Sequence, residues 1–172
     1  SEDHSADIAH FHCELAELAV KQKNPEAAER EVSLALLEKP YSPRALMLAG
    51  DFAFQKNQVK EAVEDWEKLR QHSEDHFPLV FSRLVKGYDA LGDAAGAQAV
   101  IDYALNRFPT SEVVEQAMKR AFKDKGQQAA AEIVSKGLSG HPTLGTLSVA
   151  MEFRKMIWAS GQMCWMGARK WK

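Results

Sequence analysis

Cysteine is scarce in this chain, and features that would mark several other classes of protein are missing. Cys13 and Cys164 are the only cysteines among 172 residues. Two thiols this far apart are a poor disulfide framework, which fits a reducing compartment. No run of about 18 apolar residues occurs, so the sequence predicts no membrane-spanning helix, and it shows no secretory signal.

Charge is nearly balanced overall but unevenly distributed. The net charge is -2, with 45% hydrophobic and 27% charged residues. Residues 1–110 carry 12 Lys and Arg against 19 Asp and Glu, a net of -7, whereas residues 111–172 carry 10 against 5, a net of +5. This asymmetry could steer a partner of mixed charge, or could be ordinary variation among solvated helix faces. The basic residues form no dense run interleaved with aromatics, so no nucleic-acid partner is expected.

No catalytic motif is present. The sequence contains no Gly-rich phosphate loop, nucleophile elbow or zincin motif, so it predicts neither an enzyme nor a cofactor. His10, His12 and Cys13 are the tightest group of metal-ligand types, but residues two apart on a helix point about 200° apart. His10 and Cys13 share a face, yet two ligands alone do not make a zinc site. His72 and His76 fit a solvated helix end, and no metal site is predicted.

What the chain does have is an internal period. Four segments superimpose at offsets of 34, 35 and 33 residues, starting from Leu15, Ala49, Leu84 and Ala117. Thirteen positions after each start stands a small residue, Ala28, Ala62, Ala97 or Ala130, followed four positions later by an apolar one. In three of the four rows a proline closes the unit: Pro40, Pro109 and Pro142. This spacing is typical of the tetratricopeptide helix-turn-helix repeat, in which small residues sit where two helices cross closely.

The predicted fold is therefore an all-α tetratricopeptide-repeat α-solenoid with a right-handed superhelical path. We expect an N-terminal tail over residues 1–7 and four repeats within 8–142, at about 9–42, 43–77, 78–110 and 111–142. A capping helix over 143–156 and an irregular tail over 157–172 complete the prediction. Asn24 as N-cap before Pro25, and Gly92 before Asp93, are the clearest helix boundaries. Because the chain starts at Ser1 without an initiator Met, directly before an intact repeat, we expect either a piece of a longer protein or a processed chain.

Binding is the use that stacked helix pairs suggest, because the first helix of each repeat lines a concave surface. Met47 and Phe54 are predicted apolar anchors, and Arg44, Lys86, Lys119 and Lys123 are predicted partners for anions. The alternative is a surface that alternates charge only for solubility. No Asn falls on these positions, so the pattern of chaperone-tail clamps is absent. The residues predicted to face a protein or peptide in the groove are His10, Cys13, Glu17, Lys21, Arg44, Met47, Asp51, Phe54, Gln55, Ser82, Lys86, Asp89, Glu115, Lys119 and Lys123.

One segment resembles a known family. The run from Ile8 to Glu17, which includes Cys13-Glu14-Leu15-Ala16, resembles the corresponding segment of the lipopolysaccharide assembly protein B family of bacterial tetratricopeptide proteins. The resemblance continues through 44–51 and 88–92 and covers roughly Ile8 to Met156. The Cys-Glu-Leu-Ala run is its most specific part. The family's terminal metal knuckle has two Cys-x-x-Cys pairs, and this chain has none, so metal binding is not carried over.

The resemblance implies a function and a location. It implies an adaptor on the cytoplasmic face of the bacterial inner membrane, held there by an N-terminal helix outside this sequence. Such an adaptor couples a membrane-bound ATP-dependent protease to the lipid A deacetylase and so limits lipopolysaccharide synthesis. The alternative that the residues leave open is a tetratricopeptide scaffold in envelope or pilus assembly.

Overall fold

The computed structural model describes residues 4–161. Within that range the chain forms helices joined by short turns, with no strand. The helices are α1 (Ser5–Lys21), α2 (Pro25–Glu38), α3 (Pro43–Gln55), α4 (Val59–His72), a short 3-10 helix (Glu74–His76), α5 (Phe77–Ala90), α6 (Ala94–Arg107), α7 (Ser111–Lys125), α8 (Gln127–Gly140) and α9 (Leu144–Ala159). None of these described helices is long and apolar enough to cross a membrane.

In each repeat, the turn between the two helices contains a residue with a positive φ angle. Lys23, Asn57, Gly92 and Gly126 adopt positive φ angles of 58°, 63°, 72° and 90°. They stand 34, 35 and 34 residues apart, at the point where the first helix of each pair ends. A residue with a positive φ leaves the helical conformation and lets the chain reverse, although Gly126, with a ψ of -176°, is extended and not left-handed helical. The helix pairs therefore repeat in backbone conformation as well as in sequence.

Side-chain caps and prolines set the other helix boundaries. Asn24 Oδ1 accepts a hydrogen bond from Ala27 N at 3.1 Å, and Asp93 Oδ1 accepts one from Gly96 N at 2.8 Å. Both satisfy backbone donors that the first turn of a helix leaves free. Helices α2, α6 and α8 each end two residues before a proline, at Glu38, Arg107 and Gly140, because a residue that precedes proline is disfavoured in the helical conformation.

The chain divides into two compact units, Ser1–Val100 and Ile101–Lys172. In the first unit α1 packs on α2, α3 on α4, and α4 on α5, while α2 and α1 also contact α3. In the second unit α7 packs on α8, and α9 contacts both of them. The small residues predicted at the close crossings are all fully buried: Ala28, Ala62, Ala97 and Ala130.

The second repeat has an unusually large side chain, Trp66, at the apolar position that Val32, Ile101 and Val134 occupy elsewhere, and this side chain is 2% exposed. Glycines make room for its ring. A Cβ atom at Gly50 would lie 2.3 Å from Trp66 Nε1, and one at Gly87 would lie 2.5 Å from Val63 Cγ2 and 3.2 Å from Trp66 Cζ3. Real Cβ atoms do not approach that closely, so α3 and α5 can pack on this part of α4 only because both positions are glycine.

The structure corrects both ends of the predicted organisation. The tail assigned to residues 1–7 is wrong beyond residue 4, because α1 begins at Ser5 and Ile8 N donates to His4 O at 3.0 Å. The capping helix does not stop at residue 156 but continues to Ala159. Nothing in the sequence breaks it before Gly161, whose φ is 65°. Most of the irregular tail predicted over 157–172 lies outside the described residues.

Candidate partner-binding groove

The first helices of three repeats line one cleft in the first unit. This cleft, called the α1/α3/α5 groove below, has a volume of about 420 Å³. Met47 and Leu79 are apolar lining residues, and Lys39 and Arg44 are cationic ones. The full lining is Ala6, His10, Lys39, Ser42, Pro43, Arg44, Met47, His76 and Leu79. Three predicted groove residues, His10, Arg44 and Met47, are thus brought together.

Arg44 is held by two carboxylates of α1. Its Nε and Nη2 donate to Glu17 Oε1 at 3.0 and 2.7 Å, and its Nη1 donates to Glu14 Oε1 at 2.5 Å. Nη1 also lies 3.4 Å from His10 Nδ1. The hydrogen bond from Arg44 lowers the pKa of the Glu14 carboxyl, and the hydrogen bonds to Glu14 and Glu17 raise the pKa of Arg44. The prediction of Arg44 as a free partner for anions is therefore corrected, because its charge is already compensated within the fold.

Asp51 is engaged in the same manner by the next repeat. Arg83 Nε donates to Asp51 Oδ1 at 2.6 Å, and Arg83 Nη2 donates to Asp51 Oδ2 at 2.9 Å. Arg83 Nη1 donates to the carbonyl oxygen of Leu79 at 2.7 Å. Asp51 was predicted to face a partner, but both oxygens of its carboxylate accept hydrogen bonds from Arg83 in this bidentate contact. Arg83 was missed by the sequence argument, although its separation of 32 residues from Asp51 is close to the repeat period.

Cys13 is also corrected. The sequence placed it in the groove, whereas its side chain is fully buried with Ala9, Ala35 and Ala45. Burial raises the pKa of the Cys13 thiol, and the positive charge of Arg44 opposes that effect in part. The physical reason is that the equivalent position in repeat one lies where α1, α2 and α3 meet, so a small side chain is needed there.

The remaining predicted residues of the first unit lie on the first helices with different exposures. Glu17, Met47, Phe54 and Ser82 are half-buried, and His10, Lys21, Gln55, Lys86 and Asp89 are exposed. The Phe54 ring packs at 5.7 Å, centroid to centroid, from the Trp66 ring. Lys86 forms no ion pair or hydrogen bond with any residue of the 4–161 range. Its charge is therefore available to a partner.

Glu115, Lys119 and Lys123 belong to α7 in the second unit. Lys119 Nζ donates to Glu115 Oε1 at 2.5 Å, one helical turn apart, and Lys123 is exposed. An exposed pair of this type contributes little to stability. That these three residues extend the groove of the first unit stays a prediction.

The histidines considered as metal ligands make other contacts. His12 Nδ1 lies 2.7 Å from Glu31 Oε2 of α2. The His72 ring stacks on Tyr41 at 3.7 Å between centroids, while His76 is hydrogen-bonded to Ser73 Oγ. No group of three or more potential metal ligands occurs in the part of the chain that the structure describes.

Antiparallel helix pairs repeating every 33 to 35 residues, with first helices along a groove, define the class of the protein: it has the all-α tetratricopeptide-repeat solenoid fold. Its structure is similar to that of PilF from Pseudomonas aeruginosa, with a TM-score of 0.66 and 18% identity, covering 89% of this chain and 70% of that one. It is also similar to the APC/C hetero-tetramer Cut9–Hcn1, with a TM-score of 0.56 and 15% identity, covering 83% of this chain and 29% of that one. No protein-family model matches the sequence, and the search of curated proteins returned no match.

Proposed function

We propose that this chain is a non-catalytic adaptor that holds a peptide or protein segment in the α1/α3/α5 groove. The observation that carries the proposal is the groove itself, whose wall combines Met47 and Leu79 with the cationic Lys39. Lys39 is exposed and forms no ion pair within residues 4–161. Apolar contacts would supply affinity, and the cation would select a segment that carries an acidic residue.

The salt bridges beneath the groove support this role. Arg44 joins α1 to α3, and Arg83 joins α3 to α5. In the first unit, α1 is therefore connected to α3 and α3 to α5 by an Arg–carboxylate contact, and the planar guanidinium fork favours one relative geometry of each pair. Residues that line a preformed groove lose less conformational entropy on binding than residues that become ordered only when the partner binds.

The particular role we propose is regulation of lipopolysaccharide synthesis, by linking a membrane-bound ATP-dependent protease to the lipid A deacetylase at the cytoplasmic face of the inner membrane. Support comes from the resemblance carried by Ile8–Glu17 and 44–51. Glu14 and Arg44, which bind one another, lie in these two segments. Cys13 and Ala16, from the most specific part of the resemblance, are buried at the helix contacts that position α1. The resembling residues are therefore ones that shape the groove.

The alternative to this adaptor function is that the chain is a scaffold in envelope or pilus assembly. The fold likeness to PilF is the observation that favours it, and at 18% identity it concerns the fold alone. Both roles use a groove, so they differ in the partner and not in the architecture.

A pull-down with the purified chain separates the two. Under the adaptor proposal, lysate of a lipopolysaccharide-producing bacterium yields the deacetylase or the protease on wild-type chain, and less of either on Lys39→Glu, which reverses the cation that lines the groove. Lys60→Glu is the matched control, because Lys60 is an exposed lysine of α4, a second helix. Recovery of pilus or outer-membrane components alone, with neither the deacetylase nor the protease, would show the proposed role to be wrong.

A further inference from the structure

Helix α9 carries an apolar stripe on its exposed side. Leu144, Leu147, Met151 and Trp158 are 87%, 52%, 65% and 63% exposed. Their spacings of three, four and seven residues place them on one face of a helix. The opposite face packs inward through Val149, with Phe153 and Met156 against the core of the second unit. The set Leu144, Leu147, Met151 and Trp158 is called the α9 stripe below.

The repeat register shows what this kind of face normally contacts. Leu147 has an equivalent at the same repeat position in each of three earlier first helices. These equivalents, Leu46, Phe81 and Val114, are 2%, 1% and 1% exposed, whereas Leu147 is 52% exposed. Met151 has equivalents one turn further along the same face. These equivalents, Gly50, Val85 and Met118, are buried, whereas Met151 is exposed. Two positions of the α9 stripe, Leu147 and Met151, are therefore exposed although their equivalents in the second, third and fourth repeats are buried.

At two of these positions, Val114 and Gly50, the covering residue lies on the second helix of the same repeat. Gly137 of α8 is so close to Val114 that an added Cβ would lie 2.9 Å from Val114 Cγ1. Gly50 of α3 is in the same relation to Trp66 of α4. In α9, no described helix occupies that place.

Helix α9 also ends at a residue with a positive φ angle, as the earlier first helices do. Gly161 has a φ of 65° and follows Gly126 by 35 residues, in series with Lys23, Asn57 and Gly92. Helix α9 begins in the register of a first helix, because its N-cap Thr143 follows Thr110, the N-cap of α7, by 33 residues, and its turn comes two residues later than that register predicts. Its stripe is the surface on which a second helix would pack.

The four second helices of the chain describe the helix that fits. Each is 14 residues long. Three of them carry small, apolar and small residues at spacings of four and three: Ala28-Val32-Ala35, Ala97-Ile101-Ala104 and Ala130-Val134-Gly137. In the first three repeats the leading Ala stands five residues after the positive-φ residue, and in the fourth it stands four after.

The sequence after Gly161 does not reproduce this pattern. Five residues on stands Met166 with Lys170 four later, and four residues on stands Trp165 with Arg169 four later. A cation replaces the central apolar residue in either register. The chemistry that the stripe requires is therefore not present at the matching positions of this sequence.

The charge at one end of the α9 stripe indicates which kind of helix can bind there. Met151, Arg154, Lys155, Trp158 and Ala159 line a cleft of about 570 Å³. Lys155 is bonded to Glu152 at 2.6 Å, whereas Arg154 forms no ion pair with any residue in the described range. A second copy of α9 would bring the same cation against this one, and like charges placed together oppose association.

We propose that the α9 stripe binds one amphipathic helix of a partner protein, with small, apolar and small residues at spacings of four and three and acidic residues beside them. The partner helix completes a fifth repeat in trans. Its apolar face covers Leu147 and Met151, and its carboxylates meet Arg154. This surface is separate from the α1/α3/α5 groove, and the proposal does not depend on the function of that groove.

The test uses a stapled, fluorescein-labelled 14-residue helix that carries Ala, Val and Ala at those spacings, flanked by glutamates, with fluorescence anisotropy on the full 172-residue chain. We expect saturable binding that Leu147→Asp and Met151→Asp each weaken by about tenfold or more. Leu37→Asp is the matched control, because Leu37 is 77% exposed on α2. Circular dichroism of all three variants should match that of the wild type, since each altered residue is exposed.

A charge exchange tests the acidic component. A peptide with lysines in place of its glutamates should bind wild-type chain more weakly, and Arg154→Glu should narrow or reverse that difference at low salt. Phe54→Ala, which alters a first helix of the other unit, should leave peptide binding unchanged. Failure of the groove function and failure of this proposal are therefore distinguishable.

Several outcomes would overturn the proposal. One is the absence of saturable binding, or equal binding by Met151→Asp. A second is a dimer in sedimentation equilibrium that Met151→Asp dissociates, which would assign the stripe to a second copy. A third is a rise in peptide affinity of about tenfold on replacing Trp165 and Trp171 with Ala, which would show that the chain's own residues compete for the stripe.

Discussion

Arg83 and Asp51 bind one another through two parallel hydrogen bonds, from Nε to Oδ1 at 2.6 Å and from Nη2 to Oδ2 at 2.9 Å. They come from successive first helices, so this contact sets the distance between α3 and α5. The hydrogen bond to Asp51 raises the pKa of Arg83 despite the opposing effect of its partial burial. The guanidinium therefore stays charged in this contact.

A double-mutant cycle measures this contact. Asp51→Ala and Arg83→Ala should each lower the free energy of unfolding by about 1 kcal/mol, with a coupling of about 0.5–1 kcal/mol, because both side chains keep partial access to solvent. Arg83→Lys should recover less than half of the coupling, since an ammonium group cannot donate the paired bonds. Urea unfolding monitored by circular dichroism gives the four values. Strict additivity of the two alanine variants would show that the contact does not tie the helices together.

Ala62 tests the close helix crossings. It is fully buried at the position that Ala28, Ala97 and Ala130 share. We expect Ala62→Leu to destabilise the fold by about 1–3 kcal/mol, because a larger side chain forces the crossing helices apart. Ala97→Leu should act similarly. Glu64→Leu is the control, as Glu64 is exposed on the same helix as Ala62. Unchanged thermal unfolding of both buried-site variants would contradict the packing role.

Phe54 and Lys86 do not line the α1/α3/α5 groove, and they test with a verified partner whether binding extends beyond it along α3 and α5. Phe54 is half-buried beside Trp66, and Lys86 is exposed and free of ion pairs within residues 4–161. Phe54→Ala should weaken binding by about 1–3 kcal/mol without a change in helicity. Lys86→Glu should mainly slow association, more strongly at low salt. Calorimetry and stopped-flow kinetics measure the two effects.

Two further variants serve as controls for this experiment. Leu37→Ala removes an exposed apolar side chain of α2, and Lys60→Glu makes the same charge reversal on α4. Neither should alter binding. Full affinity in Phe54→Ala and Lys86→Glu, with loss instead on replacing Trp165 and Trp171, would assign binding to the C-terminal residues.

Tyr88 gives the fold an alkaline pH dependence. Its hydroxyl donates to Glu67 Oε1 at 2.9 Å. Burial, and then the bond to Glu67, raise the pKa of Tyr88 to about 12 from its ordinary value of 10.0. The folded pKa is above the unfolded one, so the stabilisation is complete below pH 10 and is lost as the pH rises towards 12.

Tyr88→Phe should therefore lower stability by about 1 kcal/mol near neutral pH, and the difference from wild type should shrink between pH 10 and 12. Urea unfolding across that range provides the measurement. Tyr41→Phe is the control, because Tyr41 is exposed and stacks on His72 without a bond to a carboxylate in the described structure. A stability difference independent of pH would mean that Tyr88 is not tied to Glu67.

The architecture was predictable because each of its determinants is local in the sequence. Ala28 and its equivalents recur at the repeat period, and Asn24, Gly92 and the three closing prolines mark the helix ends. A small residue at a crossing and a proline after a helix act through sterics that hardly depend on the rest of the fold. The predicted all-α tetratricopeptide fold is confirmed, including full burial of the four crossing alanines.

The groove was less predictable because its residues are placed by contacts between repeats. Cys13, Arg44 and Asp51 share a helical face with residues that are accessible. Whether each one faces a partner depends on what the adjacent helix presents to it. Arg83 was overlooked because a separation of 32 residues becomes a hydrogen bond only once α3 and α5 are side by side.

The sequence by itself therefore determined the repeat, its helix pairs and the small residues at their crossings, since period, caps and side-chain size are properties of the chain read along its length. Only the tertiary structure decided which charges are already paired. It also decided that Cys13 is buried, and that Leu147 and Met151 are exposed where their equivalents in the preceding repeats are covered. The physical reason is that burial and ion pairing depend on the element that packs opposite a residue, and that element lies a full repeat or half a repeat away in the sequence.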